Sequence, residues 1–207
     1  MSNFDSNIFI NCPFSDDYKP ILRVLIFGSV FFGYKPMIAE TENGNIPRMF
    51  RIEKLMRNSK YSIHDISKME FLEPNKLARF NMPFELGLDF GSLIFGIGKL
   101  KEKNFLILDS ERHRYKKAIS DLSGYDVEPH ENNPEIALRR LRNWVASRNE
   151  KIISSANRIW QVYTEFTGDS YDILINKRGY SQGEIKEMPY SDYIKYIQEW
   201  LTDRPKN

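Results

Sequence analysis

The run Arg79-Phe80-Asn81-Met82-Pro83-Phe84-Glu85-Leu86-Gly87-Leu88 holds the residue types best placed to do chemistry. Proline suits the first turn of a helix, which puts Glu85 near a helix N-terminus, where the backbone dipole stabilises a carboxylate. A plainer role for Glu85 is as dipole partner or as the far arm of a capping box, although Asn81 lies four residues before it and that box needs three. A second acid, Asp65, closes the apolar run Tyr61 to Ile66. Burying it has a cost unless something pairs with it, and capping the next turn is its alternative task. Strand alternation sends His64 to the opposite face, where a structural role is favoured.

Two loops supply further candidates. Asn11-Cys12-Pro13-Phe14-Ser15-Asp16-Asp17 can present backbone N–H groups and an aromatic face to a phosphate or a base, or can be an ordinary turn plugged by Phe14. Glu40-Thr41-Glu42-Asn43-Gly44-Asn45 is dense in acceptors able to grip ribose hydroxyls, or is simply a solvated loop. Arg79 and Asn81 are placed to reach a phosphate or a ribose hydroxyl. The chemistry these types suit together is recognition of a nucleotide. The candidate site acids are Glu85 and Asp65, and the candidate contacts are Pro13, Phe14, Glu40, Asn43, Arg79 and Asn81.

Short apolar runs alternate with amphipathic segments over the first two-thirds of the chain. Strands are predicted at Asn7 to Asn11, Pro36 to Glu40, Tyr61 to Ile66 and Asn104 to Asp109, with a brief fifth at Tyr125 to Glu128. Helices are predicted at Tyr18 to Phe32 with Asp16 or Asp17 as N-cap and Gly33 as stop, and at Ile46 to Asn58, Pro83 to Phe95, Glu111 to Leu122 and Asn133 to Arg148. This order predicts a flavodoxin-like three-layer α/β domain with a mostly parallel five-stranded sheet. Ligands of such sheets bind beyond the carboxyl ends of the strands, which is where Pro13, Glu40 and Asp65 fall. After Arg148 the strand signal stops. Helical spacing at Ile152 to Phe166, Tyr171 to Arg178 and Ser191 to Leu201 predicts a small C-terminal helical appendage, giving units of 1–150 and 151–207. Its aromatics (Trp160, Tyr163, Phe166, Tyr193, Tyr196, Trp200) are expected to cover the sheet domain, or else to meet a second copy or another protein.

Composition narrows the classes. The 207 residues carry 30 Lys and Arg against 28 Asp and Glu, so the balance does not suggest a dedicated nucleic-acid binder. The basic runs at Arg112, Arg114, Lys116 and Lys117, and at Arg139, Arg140, Arg142 and Arg148, read as solvated helix faces. The single cysteine, Cys12, allows no internal disulfide, and the 3 histidines are scattered, so neither a metal nor an oxidising compartment is expected. Cys12 has no evident histidine partner and reads as a packing residue. No apolar run approaches the roughly 20 residues that span a bilayer, so a cytoplasmic protein is expected.

The order of elements, the acid closing the third strand (Asp65) and the Glu85-Leu86-Gly87 that opens the next helix resemble the nucleoside 2-deoxyribosyltransferases and the Toll/interleukin-1 receptor (TIR) domains. The resemblance covers about Asn7 to Arg148. It implies that Glu85 is the central catalytic group, as nucleophile on an anomeric carbon or in cleavage of the nicotinamide–ribose bond of NAD. It further implies that Asp65 is the acid at the preceding strand end and that Pro13 and Phe14 line the pocket. The segment before Glu85 lacks the Trp-containing pattern frequent in TIR domains. Breaking an N-glycosidic bond passes through an oxocarbenium-like sugar, which one carboxylate can stabilise or attack. Nicotinamide is already a cationic leaving group and needs no general acid, so NAD enters as substrate and no cofactor is implied. The expectation is therefore a TIR-like NAD hydrolase or cyclase, with antiphage defence implied by the resemblance alone. The alternatives are a non-catalytic nucleotide-sensing or assembly module and a deoxyribosyltransferase-like enzyme. The implied partners are a small nucleotide and a further copy or protein, with no membrane.

Overall fold

The computed structural model describes residues 3–41, 45–69 and 80–204, with the side chain of Thr41 left out. Five strands, β1 (Asn7–Asn11), β2 (Lys35–Met37), β3 (Tyr61–Asp65), β4 (Asn104–Asp109) and β5 (Val127–Pro129), form one sheet in the order β2-β1-β3-β4-β5. Every pairing is parallel, with Ile10 opposite Ile63 and Ile63 opposite Leu106. This is the flavodoxin-like order. The chain leaves β1 in one direction to make β2 and in the other to make β3, so the crevice opens between the carboxyl ends of β1 and β3.

Alternation along the strands assigns the layers. Ile8, Ile10, Ile63, Leu106 and Leu108 face α1 (Lys19–Phe31) and α4 (Pro134–Ala146) in one buried cluster. On the other face Phe9 meets Ile52, Leu55 and Met56 of α2 (Arg48–Arg57), and Ile107 meets Met82, Leu86 and Phe90 of α3 (Asn81–Phe95). Helices α1 and α4 approach closely at Gly28, where a Cβ would stand 2.8 Å from Leu138 Cδ1 and 2.9 Å from Leu141 Cδ2. Beyond α1 lie α5 (Ala156–Asn176), α6 (Gln182–Lys186) and α7 (Tyr190–Asp203). Their Ile159, Val162, Phe166 and Ile197 belong to the same core as the sheet, with the Phe166 ring 5.2 Å from that of Phe27.

Several local expectations change. Tyr18, not Asp16 or Asp17, is the residue before α1, and it makes no side-chain cap. Asp16 instead pairs with Lys19 at 2.6 Å, and Asp17 pairs with Lys68. The expected helix Glu111 to Leu122 is two 3-10 turns, Arg114–Lys117 and Ser120–Gly124, because His113 is left-handed (φ 63) and Arg114 turns inward to Asp109. The second strand stops at Met37 and runs into a 3-10 turn, Ala39–Thr41. The separate helix expected at Tyr171 to Arg178 is the end of α5, and the short α6, closed by a Ser181–Glu184 capping box, was not foreseen. Asn133 caps α4 as its type suggests, accepting from the N–H groups of Glu135 and Ile136. Among the described residues no helix is long and apolar enough to cross a membrane.

Candidate functional site

Helix α3 begins two residues earlier than Pro83 suggests. Phe84 N–H bonds to the Phe80 carbonyl, so the helix starts at Asn81 and Pro83 is its third residue. The first four N–H groups of a helix have no partner within it, so a proline there sacrifices nothing. Glu85 consequently sits in the second turn, beyond the reach of the terminal dipole, and points inward with 4% of its surface exposed. Its carboxyl is pushed up to about 7, by burial first and by Glu40 in addition, while Arg48 opposes the rise. The expectation of a dipole-stabilised carboxylate is corrected: desolvation sets the proton affinity here.

Arg48, the first residue of α2, reaches over this group. Its Nη2 stands 3.8 Å from Glu85 Oε1, its Nη1 donates to Glu40 Oε1 at 2.6 Å, and its guanidinium lies 5.9 Å from the Phe14 ring centre. Phe14 in turn meets Tyr190 of α7, with ring centres 6.2 Å apart and planes tilted by 58°. Phe14, Glu40 and Tyr190 line a cavity of about 410 Å³ together with Lys19, Arg23 and Lys186. That volume lies in the range of small-molecule sites. A larger cavity of about 470 Å³ opens elsewhere, beside Phe105, Trp144 and Arg148. It includes none of these residues, and its only carboxylates are the poorly buried Asp126 and Glu128.

A buried polar network anchors α3 behind Glu85. Asn11, ending β1, gives its amide to the Met82 carbonyl at 3.0 Å and lies 3.0 Å from His64 Nδ1. With Nδ1 accepting, the His64 Nε2 proton is directed at Asp89 Oδ2, 3.0 Å away. Asp89 also receives Ser62 Oγ at 2.6 Å and pairs with Lys103 at 2.9 Å. Burial would raise its carboxyl, but the bond from His64, the charge of Lys103 and the Ser62 hydroxyl outweigh it and hold the group low. Lys103 spends its other contacts on the Met56 and Ser59 carbonyls, each at 2.7 Å. Asp89 lies one helical turn after Glu85, so this network fixes the turn that aims the candidate catalytic group.

Asp65 is placed differently from Glu85. It is fully buried, accepts Tyr18 Oη at 2.6 Å on one oxygen and Ser67 N–H at 2.9 Å on the other, and has His130 Nε2 3.0 Å away but poorly aligned for a hydrogen bond. This arrangement suits holding the crevice floor rather than touching a substrate. His64 and Asp65 do face opposite sides of the sheet, the former toward α3 and the latter toward α1. Cys12 is buried, and desolvation followed by the charges of Asp65, Glu40 and Glu85 raises its thiol well above the usual range, which leaves it protonated and unreactive.

Among the expected contacts, Phe14 and Glu40 come together with Glu85 through Arg48, whereas Pro13 is buried under the first loop and Asn81 is exposed at the start of α3. Asn43 and Arg79 lie outside the described residues. Sequence reading missed Arg48, Tyr190, Tyr18 and His130. Arg48 had one signal: an arginine opening a helix opposes the dipole, and such a placement asks for a carboxylate partner. Among the described residues no group of three or more His, Cys, Asp and Glu converges to hold a metal ion. No family model, curated protein or solved structure matches the chain.

Proposed function

We propose that the protein is a TIR-like enzyme that breaks the N-glycosidic bond of a nucleotide, with NAD as substrate and Glu85 as the group that meets the sugar. The observation that carries this reading is one inward-facing, nearly buried carboxylate at the carboxyl edge of a parallel sheet, joined through Arg48 to the Glu40 that lines a cavity walled by Phe14 and Tyr190. Cleavage separates nicotinamide from the ribose, water adds to the anomeric carbon, and ADP-ribose and a proton are released. Glu85 stabilises or attacks the oxocarbenium-like carbon, and the charge of Arg48 favours its ionised form.

The engagement of Asp65 and Glu40 favours a cationic leaving group. Asp65 is held by Tyr18 and Ser67, and Glu40 by Arg48, so neither stands ready as a general acid. A neutral nucleoside base needs a proton to depart, and nicotinamide in NAD does not. This favours the NAD reading over a deoxyribosyltransferase-like one. The test is a substrate comparison with purified protein: NAD should yield free nicotinamide, whereas deoxynucleosides offered with an acceptor base should yield no exchanged product. Exchange without nicotinamide release would reverse the assignment.

A further inference from the structure

Helix α3 turns an apolar face to water. At about 100° per residue, Phe84, Gly87, Leu88, Gly91, Ile94 and Phe95 fall in one sector about 120° wide, continued by Phe80 before the helix. No charged residue lies in that sector. The two acids of α3, Glu85 and Asp89, are buried on the other side. Phe80 and Phe84 are each 58% exposed, Phe95 is 84% exposed and Ile97, just past the helix, is 85% exposed. A contiguous apolar helix face of this width marks a site of association, so this face needs a cover.

The amount of surface points to the cover. At about 200 Å² per side chain the three phenylalanines alone leave roughly 400 Å² of apolar area in water. With Leu88, Ile94 and Ile97 the face reaches on the order of 700 Å². This exceeds the ~300–600 Å² patch of a typical monomer and approaches the ~800 Å² that each partner gives to a standard interface. Met49 and Phe50 of α2 are exposed as well, and α2 and α3 flank a groove of about 320 Å³ lined by Met56, Leu88, Gly91 and Phe95. The groove's charged residues, Glu53 and Arg57, pair with each other, so the face offers no net charge with which to select an unlike partner.

We infer that this face is the interface of a homodimer, in which α3 packs against α3 of a second copy. The layout is self-complementary, as a two-fold axis demands. Gly87 and Gly91 lie near the middle of the stripe and phenylalanines lie toward both ends. A Cβ built on either glycine meets nothing within 4 Å, so the middle of the helix is an open notch. Antiparallel helices crossing there bring the two backbones close, with each Gly87 facing the partner helix's second glycine, and set the phenylalanine at one end of each helix against the phenylalanine at the other end of its partner. The inference is independent of the reaction proposed above, since it uses only the side of α3 opposite Glu85.

The full chain in analytical ultracentrifugation should sediment as a dimer at micromolar concentration, and the double variant Leu88→Lys, Phe95→Glu as a monomer with an unchanged circular dichroism spectrum. Because Cys12 is buried, a Leu88→Cys variant carries one accessible thiol close to the two-fold axis, and mild oxidation should convert it to a covalent dimer on a non-reducing gel. A wild-type chain that stays monomeric, a dimer that survives in the folded double variant, or a Leu88→Cys chain that does not cross-link would each overturn the inference. The cross-link decides the matter even where the double variant fails to fold.

Discussion

Arg48 Nη2 lies 3.8 Å from Glu85 Oε1 while Arg48 Nη1 is bound to Glu40 at 2.6 Å, so one guanidinium links the buried Glu85 to Glu40, which lines the cavity. The longer contact goes to the buried acid and the shorter one to the more exposed acid. Glu85 is thereby steadied by charge without being tied in a close pair, and its reactive oxygen is left for a ligand.

A consequence is a pH dependence that Arg48 controls. If Glu85 works as a carboxylate, nicotinamide release should rise with pH through about 7. Arg48→Met removes the positive charge that lowers the Glu85 carboxyl and leaves Glu40 unpaired beside it, and both changes raise the proton affinity further. The acid limb of the rate profile should move to higher pH in this variant. An unmoved limb would separate Arg48 from Glu85 function.

Stability should respond in the opposite sense. The folded carboxyl of Glu85 titrates near 7, above the ordinary 4.5, so the folded state binds the proton more tightly than the unfolded state does. The relative stability this confers is complete below about 4.5 and is lost as pH rises through about 7. Glu85→Gln keeps the shape and removes the titration. It should therefore match the wild type near pH 4.5 and exceed it at pH 8 by up to ~3 kcal/mol, seen as a Tm several degrees higher by calorimetry.

The network behind Glu85 predicts a strong coupling. Asp89 and Lys103 are both buried and 2.9 Å apart, so removing one leaves the other uncompensated. Asp89→Asn or Lys103→Met alone should cost about 3–5 kcal/mol in urea denaturation, and the double variant should cost less than the two singles together. Additive losses would mean that the two residues act separately.

Tyr190 tests the contribution of the C-terminal helices to the cavity. Tyr190→Ala removes the ring that leans on Phe14. Loss of an aromatic wall that binds ground state and transition state alike should raise KM roughly tenfold with little change in kcat. A fall in kcat at constant KM would instead give Tyr190 a part in the reacting geometry.

The strands were the most legible part of the chain. β1 and β4 follow the apolar runs Asn7 to Asn11 and Asn104 to Asp109 to the residue, because both are buried and bounded by polar turns. Glu85 was legible as a residue but not in its electrostatics. Pro83 suggested a helix start that the Phe84–Phe80 hydrogen bond moves two residues earlier, and this shift takes Glu85 away from the dipole. The partners of Asp65 were not legible, since Tyr18 and His130 are brought to it by opposite ends of the α/β unit. The same holds for Tyr190, 176 positions beyond Phe14, which only the docking of α7 places against it. Spacing rules see neighbours along one element, and these contacts join different ones.

The most direct test follows free nicotinamide by chromatography after incubation of concentrated wild-type protein and of Glu85→Gln with NAD. The wild type should release nicotinamide, and Glu85→Gln should lose at least about a hundredfold in rate while still binding NAD in calorimetry. Release that persists undiminished in Glu85→Gln, or NAD binding by the wild type with no turnover at any protein concentration, would contradict the account.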